Sequence, residues 1–374
     1  MAPIPKGGTV AVTGSAGFIG GWVVRRLLER GYRVRACVRD VDDDAKVGFL
    51  KAMPGYTSGR LTLHAADLDN AGSFDEAFRG CHGVAHVSHV TSAPAPIGEG
   101  HKAWSTSLNK YGDQDYIAEV CNHLIASVNA SGSVTRVIVT SSIAAVISEV
   151  DLQEIVRRPV LYEDRYPDEE NPKRTAQRGQ GYSMGKVLAQ RLFTEAAEAS
   201  GKWDAITCCP GDNVGPIQSQ HQKNGGPWQH LIATMLMGTV EQNGAYRPWM
   251  TVDVRDDADS HIGLLESVTV KNGERFIAWS TDARNVEDIA KDLGRLLPDL
   301  GHAVPELVDP FPDHIKAREA EFRAIWALCD LRNDRIRAAA GVTFRPLDES
   351  VRDCAESLLS IGGVKPRLRV TISA

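Results

Sequence analysis

The run Thr13-Gly-Ser-Ala-Gly-Phe-Ile-Gly20 constrains this 374-residue chain more than any other. It follows a β-branched run, Thr9 to Thr13, and opens an amphipathic stretch, Phe18 to Arg30. Glycines at this spacing suit a strand that turns sharply into a helix. Gly14 permits the tight turn, Gly17 lets backbone amides approach a pyrophosphate, and Gly20 lets helix and sheet pack closely. The helix N-terminus then presents free N–H groups and a partial positive charge to phosphates. The expected result is a dinucleotide cradle, with Phe18 and Ile19 beside the glycines. A ligand-free glycine turn is the bland alternative, and the strand before and helix after weigh against it.

The first two-thirds of the chain repeats this alternation. Strands are expected at Thr9–Thr13, Val34–Val38, Leu61–Ala65, Gly83–Ser88, Arg136–Thr140 and near Ala205–Cys209. Helical patterns lie over Phe18–Arg30, ended by Gly31, and over Tyr116–Ala130 and Tyr182–Ala199. Such alternation implies parallel βαβ units, hence an α/β, Rossmann-type doubly wound sheet. Past Pro210 the rhythm breaks, and Gly211–Gly226, rich in Gly, Asn, Gln and Pro, is expected to be loop. Thr251–Val254 is expected to return to the sheet and Arg275–Ala278 to add a strand. Val286–Leu297 and Arg332–Leu359 are expected to be mainly helical, and the tail after Gly362 a loose end. The division expected is a nucleotide-binding domain of residues 1–210 with 251–285, and a smaller, mainly helical substrate lobe of 211–250 with 286–374.

Composition excludes several function classes. A net charge of −6 leaves no basic footprint for nucleic acid or an anionic membrane. No apolar run is long enough to cross a bilayer, and the N-terminus lacks the layout of a secretion signal. The seven cysteines are scattered without a C-x-x-C pair, so neither a disulfide framework nor a metal site is expected. A cytoplasmic, soluble protein is the simplest expectation.

The end of the second strand bears on the choice of nucleotide. An acidic residue there would take the ribose 2′-OH of NAD, whereas a basic one favours the 2′-phosphate of NADP. Arg39 comes first, then Asp40, with Lys46 beyond an acidic run. Arg39 can pair bidentately with phosphate, so NADPH is expected rather than NADH. Asp67 and Leu68, after the third strand, are placed to touch the adenine.

Tyr182 and Lys186 stand i, i+4 at the start of a helix and share one face. A free phenol, with a pKa about 10, is a poor proton donor near neutrality, and a neighbouring ammonium stabilises its conjugate base. Ser141 and Ser142 end the fifth strand, on the sheet edge where parallel folds place their sites. A hydroxyl there can orient a carbonyl that Tyr182 protonates. Alone, the Tyr–Lys pair is more often an ordinary helix surface; the strand end and glycine turn reverse those odds.

These residues resemble the extended short-chain dehydrogenase/reductases, and within them the dihydroflavonol-reductase-like branch, which includes cinnamoyl-CoA, vestitone and fungal carbonyl reductases. The likeness spans nearly the whole chain: residues 13–40, 66–88, VIVTSS at 137–142, YSMGK at 182–186, PGDNVGP at 210–216 and FRPLDESVRDCAESL at 344–358. The resemblance implies Ser142, Tyr182 and Lys186 as the catalytic triad, with Tyr182 and Lys186 also touching the cofactor and Lys186 its nicotinamide ribose. It also implies Arg39 and Lys46 at the 2′-phosphate, and Val87 and Pro210 beside the nicotinamide. Asn122 is the candidate for a fourth catalytic residue. Plant flavonoid reductases carry an Asn five residues beyond the serine, where this chain has Ile147. The segments 88–100 and 218–229 are also unlike the usual versions. Ile147, His89, His221 and Trp228 are accordingly expected on the walls of the substrate pocket.

The function expected is NADPH-dependent reduction of a ketone or aldehyde to an alcohol, or its reversal as an alcohol dehydrogenase, on a small-molecule carbonyl substrate of hydrophobic or aromatic character. The rivals are a 3β-hydroxysteroid dehydrogenase-like enzyme, a nucleotide-sugar epimerase or dehydratase, and a non-catalytic nucleotide-sensing regulator. The family also implies a helix-pair homodimer.

Overall fold

The computed structural model describes residues 1–88, 114–146, 160–161, 180–224, 226–238, 249–297 and 330–366, with 317, 320–321, 323–324 and 327–328. In chain order the strands are β1 (Thr9–Thr13), β2 (Arg33–Val38), β3 (Leu61–Ala65), β4 (Gly83–His86), β5 (Arg136–Thr140) and β6 (Val160–Leu161). There follow β7 (Asp204–Pro210), β8 (Asp212–Val214), β9 (Trp249–Asp253), β10 (Arg275–Ala278), β11 (Ala283–Arg284) and β12 (Asp330–Leu331). Seven of these form one sheet in the order β10-β7-β5-β4-β1-β2-β3, with every pairing parallel. The order reverses between β1 and β4, and such a crevice is where open α/β sheets bind ligands.

The central strands are apolar on both faces because both faces are covered. Helices Phe18–Glu29 and Val254–Glu266 pack together on one face, their Val23, Val24, Ala258 and Ile262 joining Val10 and Val12 in one core. Helices Gln114–Ser131 and Gln180–Ser200 cover the other, with Leu124, Phe193 and Trp203 packed against Ala11, Val84 and Val137. Gly31, at φ +87°, takes the left-handed conformation that ends the first helix. A third core joins helices Pro227–Met237, Val286–Leu296 and Leu347–Ser360, and the side chain of Phe18 enters it from the glycine turn.

The expected doubly wound sheet is present, and the later third departs from expectation. Residues 249–253 do not return to the main sheet. They form β9 of a three-stranded sheet, parallel to β8 and antiparallel to β11, because β10 occupies the place beside β7. This small sheet joins segments expected in different lobes. Nor is 211–226 all loop: it holds β8 and a 3₁₀ turn, Gln220–Asn224, whose polar side chains bond distant backbone groups. The expected helical run 332–359 is two helices, Asp334–Ala340 and Leu347–Ser360, separated at Gly341 with φ +66°. The chain past Gly362 is not loose at once, since Val364 is buried and donates its N–H to Leu358 O at 3.1 Å.

Candidate active site and dinucleotide cradle

At the C-terminal end of β1 the backbone has no room for side chains. A Cβ on Gly14 would stand 2.9 Å from Ser88 Cα, and Gly14 itself sits at φ +67°. A Cβ on Gly20 would stand 2.2 Å from Gly14 O. The first helix has neither a side-chain cap on its N-terminus nor an acidic residue in its first turn. Its leading amides are therefore left for an anion, and this cradle suits a pyrophosphate. Thr13 locks the turn to β4: its hydroxyl accepts from Ser88 N at 3.0 Å and from Ser88 Oγ at 2.8 Å. Its own proton is left for His86 Nδ1, 3.0 Å away. Burial, with Lys186 adding to it, pushes the His86 imidazole down to about 3, so the ring is neutral.

Beyond β2, Arg39 is exposed and makes no side-chain hydrogen bond or ion pair with the described residues. Asp40 is engaged in its own turn, its Oδ1 accepting from Asp42 N at 2.8 Å. Lys46 is less available than expected, because its Nζ lies 2.6 Å from Asp43 Oδ2. Asp67 also closes a local turn, with Oδ1 accepting from Asp69 N at 3.1 Å.

The other end of the crevice is built from helix Gln180–Ser200 against the end of β5 and the turn Ile143–Ala145. Lys186 is 4% exposed and donates Nζ–H to Thr140 O at 2.9 Å. The same ammonium stands 5.7 Å from the centroid of the half-buried Tyr182 ring. Burial drives its pKa down to about 8. Ser142 accepts from Ala144 N at 3.1 Å, which leaves its O–H free to donate to a carbonyl. Ser141 has no such freedom: it is buried, and Gln190 Nε2 donates to its Oγ. The choice of Ser142 over Ser141 thus has a geometric basis. A cavity of about 20 Å³ touches Lys186, Thr140, His86, Ser88, Leu68 and Cys121.

Several residues at this end carry no motif. Thr140 Oγ1 meets His261 Nε2 at 2.7 Å, and His261 Nδ1 lies 3.2 Å from Asp257 Oδ1 and 2.8 Å from Asp257 O. Burial works against the charged imidazole, but the Asp257 carboxylate outweighs it and holds the His261 pKa above its ordinary value. This wholly buried pair braces Thr140, whose carbonyl holds the ammonium. Cys208 completes a cluster with Asp257 and His261, their ligand-type atoms within 4.8 Å of one another. Its thiol points at Asp257 Oδ1, 3.8 Å away, as a weak donor. Arg275, also buried, donates to Ala145 O at 2.8 Å and fixes the turn that carries Ser142.

The family model for the NAD dependent epimerase/dehydratase family matches residues 10–278. Dihydroflavonol 4-reductase of Zea mays is 32% identical over 278 residues, covering 74% of this chain and 71% of that protein. A putative anthocyanidin reductase of Ginkgo biloba is 30% identical and covers 78% of this chain and 80% of its own length. The chain belongs to the extended short-chain dehydrogenase/reductases. Its place is in the dihydroflavonol-reductase-like branch of these oxidoreductases, which use a nicotinamide dinucleotide. Vestitone reductase from alfalfa superimposes with a TM-score of 0.68 at 25% identity, over 95% of this chain and 99% of that one. Gre2 from Candida albicans in complex with NADPH shares the fold, with a TM-score of 0.71 at 19% identity over 94% and 99% of the two chains.

Five residues expected at the site need revision or fall elsewhere. His221 does not stand as a pocket wall; its Nε2 is 2.7 Å from Ala16 O, on the glycine turn. Trp228 is packed into the third core at 9% exposure, so its bulk serves the C-terminal helices first. Asn122 is exposed, and the neighbouring Cys121 is what faces the Lys186 cavity, one helix position having turned the amide outward. His89 and Ile147 lie outside the described residues. No described helix is long and apolar enough to cross a membrane.

Proposed function

We propose that this chain is an NADPH-dependent reductase of ketones or aldehydes, with Tyr182 as the proton donor to the developing alkoxide. One observation carries the reading. A buried ammonium, Lys186, is fixed by the Thr140 carbonyl beside the Tyr182 ring, at the end of a sheet that also carries a glycine cradle. A bound nicotinamide supplies the hydride. Ser142 donates to the substrate carbonyl and polarises it, Tyr182 gives up its proton, and Lys186 stabilises the phenolate left behind. Arg39, exposed and free of any partner among the described residues, meets the 2′-phosphate that distinguishes NADPH from NADH.

The substrate class follows the relatives' names, dihydroflavonol 4-reductase and vestitone reductase, toward an aromatic carbonyl of moderate size. The test is net oxidation of NADPH, and of NADH in parallel, with aromatic, aliphatic, diketone and steroid carbonyls. Stoichiometric NADPH loss with alcohol formation is expected. An epimerase would convert its substrate without consuming the cofactor, and a nucleotide-sensing regulator would bind NADPH and turn nothing over.

A further inference from the structure

The segment 218–224 reaches from the C-terminal half onto the glycine turn. Gln222 is 1% exposed, and its Nε2 donates to Gly17 O at 3.1 Å and to Ala16 O at 3.3 Å. Its Oε1 accepts from Gln218 N at 2.8 Å, which fixes which end of the amide faces the turn. His221 Nε2 meets Ala16 O at 2.7 Å; a carbonyl only accepts, so that nitrogen carries the proton. Its Nδ1 lies 3.0 Å from Ser219 Oγ, and its ring rests 5.9 Å from that of Phe49. Gln218 Oε1 accepts from Arg25 Nε on the first helix at 2.5 Å, and Trp22 Nε1 donates to Pro216 O at 2.8 Å.

These bonds land on particular peptide units. No cis peptide occurs among the described residues, so the N–H of Phe18 points opposite to the Gly17 carbonyl that Gln222 holds. Phe18 opens the first helix, and its N–H is one of the amides with no partner inside that helix. Gly17 O already accepts from Gly21 N at 2.9 Å, and the second donor from Gln222 adds to the hold on this peptide's plane and polarises its N–H toward an anion.

We propose that Gln222, with His221 on the preceding Ala16 carbonyl, is a positioning residue for the pyrophosphate of the dinucleotide, the two holding the glycine turn so that the amide of the Gly17–Phe18 peptide faces the phosphates. This rests on the dinucleotide reading of the cradle and adds to it a clamp from the distant half of the chain.

The test is calorimetric binding by the full chain, wild type and Gln222→Ala, with no turnover involved. The probes are whichever of NADP⁺ and NAD⁺ binds more tightly and its adenosine half (2′-AMP for NADP⁺, adenosine for NAD⁺), which lacks the pyrophosphate. Loss of two donors is expected to weaken dinucleotide binding by about tenfold and to leave the adenosine half within about twofold of wild type. His221→Phe, which keeps the ring beside Phe49 and removes the donor, is expected to weaken the dinucleotide by about threefold on the same selective pattern. Equal weakening of both probes, or of neither, overturns the clamp. If Gln222→Ala does not fold, His221→Phe decides by the same criterion. A wild-type protein that binds neither dinucleotide would instead overturn the cradle reading itself.

Discussion

The two ends of the ligand crevice are built on opposite principles. At β1 the cradle is made of absence: glycines with no room for a Cβ and a helix N-terminus with no cap. At β5 it is made of buried charge: an ammonium with its pKa driven to about 8, braced through Thr140 by a buried His261–Asp257 pair. The cradle works because nothing intrudes on the backbone. In the proposed reading the β5 end works because charges that cost free energy to bury are held in place by hydrogen bonds. Substitutions in the glycine turn itself should therefore do damage by adding atoms, and those at the β5 end by removing them.

The largest effect expected is on rate. Tyr182→Phe should lower carbonyl reduction by about 10²- to 10⁴-fold while dinucleotide affinity, measured by titration, stays unchanged. Next comes stability: Asp257→Ala strands the buried His261, and urea denaturation should show a loss of roughly 3–5 kcal/mol. An added atom tests the other end, since a Cβ at residue 20 would press on Gly14 O at 2.2 Å. Gly20→Ala should thus cost roughly 1–3 kcal/mol and abolish tight dinucleotide binding. Arg39→Ser should weaken NADPH by about tenfold with little change for NADH, sharpening the contrast within the cradle between backbone and side-chain recognition.

The remaining tests concern pH. In the proposed mechanism Lys186 acts as a cation, so the reduction rate should fall as pH rises through about 8, and no such fall should remain in Lys186→Met. The stability effect has the opposite sign. A lysine pKa lowered on folding means that the unfolded chain binds more protons between pH 8 and the ordinary value of 10.5, so this group favours folding more as pH rises through that window. Below pH 8 its burial costs roughly 3 kcal/mol, and Lys186→Met should recover part of that, less the lost bond to Thr140 O. A melting midpoint for Lys186→Met at neutral pH no lower than that of the wild type is the expected measurement.

The same contrast explains what the sequence disclosed. Glycine spacing, strand–helix alternation and the Tyr182–Lys186 pair are local patterns, and each appears where it was expected. The remaining supports are single residues that meet across long stretches of chain. Asp257 and His261 look like any polar pair on an amphipathic helix, and nothing in their spacing says that they lie beneath Thr140. Gln222 and His221 lie in a stretch whose composition signals loop, while their partners are backbone carbonyls some two hundred residues earlier, which no side-chain pattern reveals. Arg39 was legible as a charge, but the engagement of Lys46 by Asp43 was not, since either could have faced solvent.

The central claim is hydride delivery to a carbonyl carbon under protonation by Tyr182. The most direct measurement uses NADPH deuterated at the transferring C4 position with a carbonyl that the enzyme turns over, and locates the label in the product. The account predicts one deuterium on the carbinol carbon and none on the hydroxyl. Product alcohol without label at that carbon, or label exchanged into solvent, would contradict it.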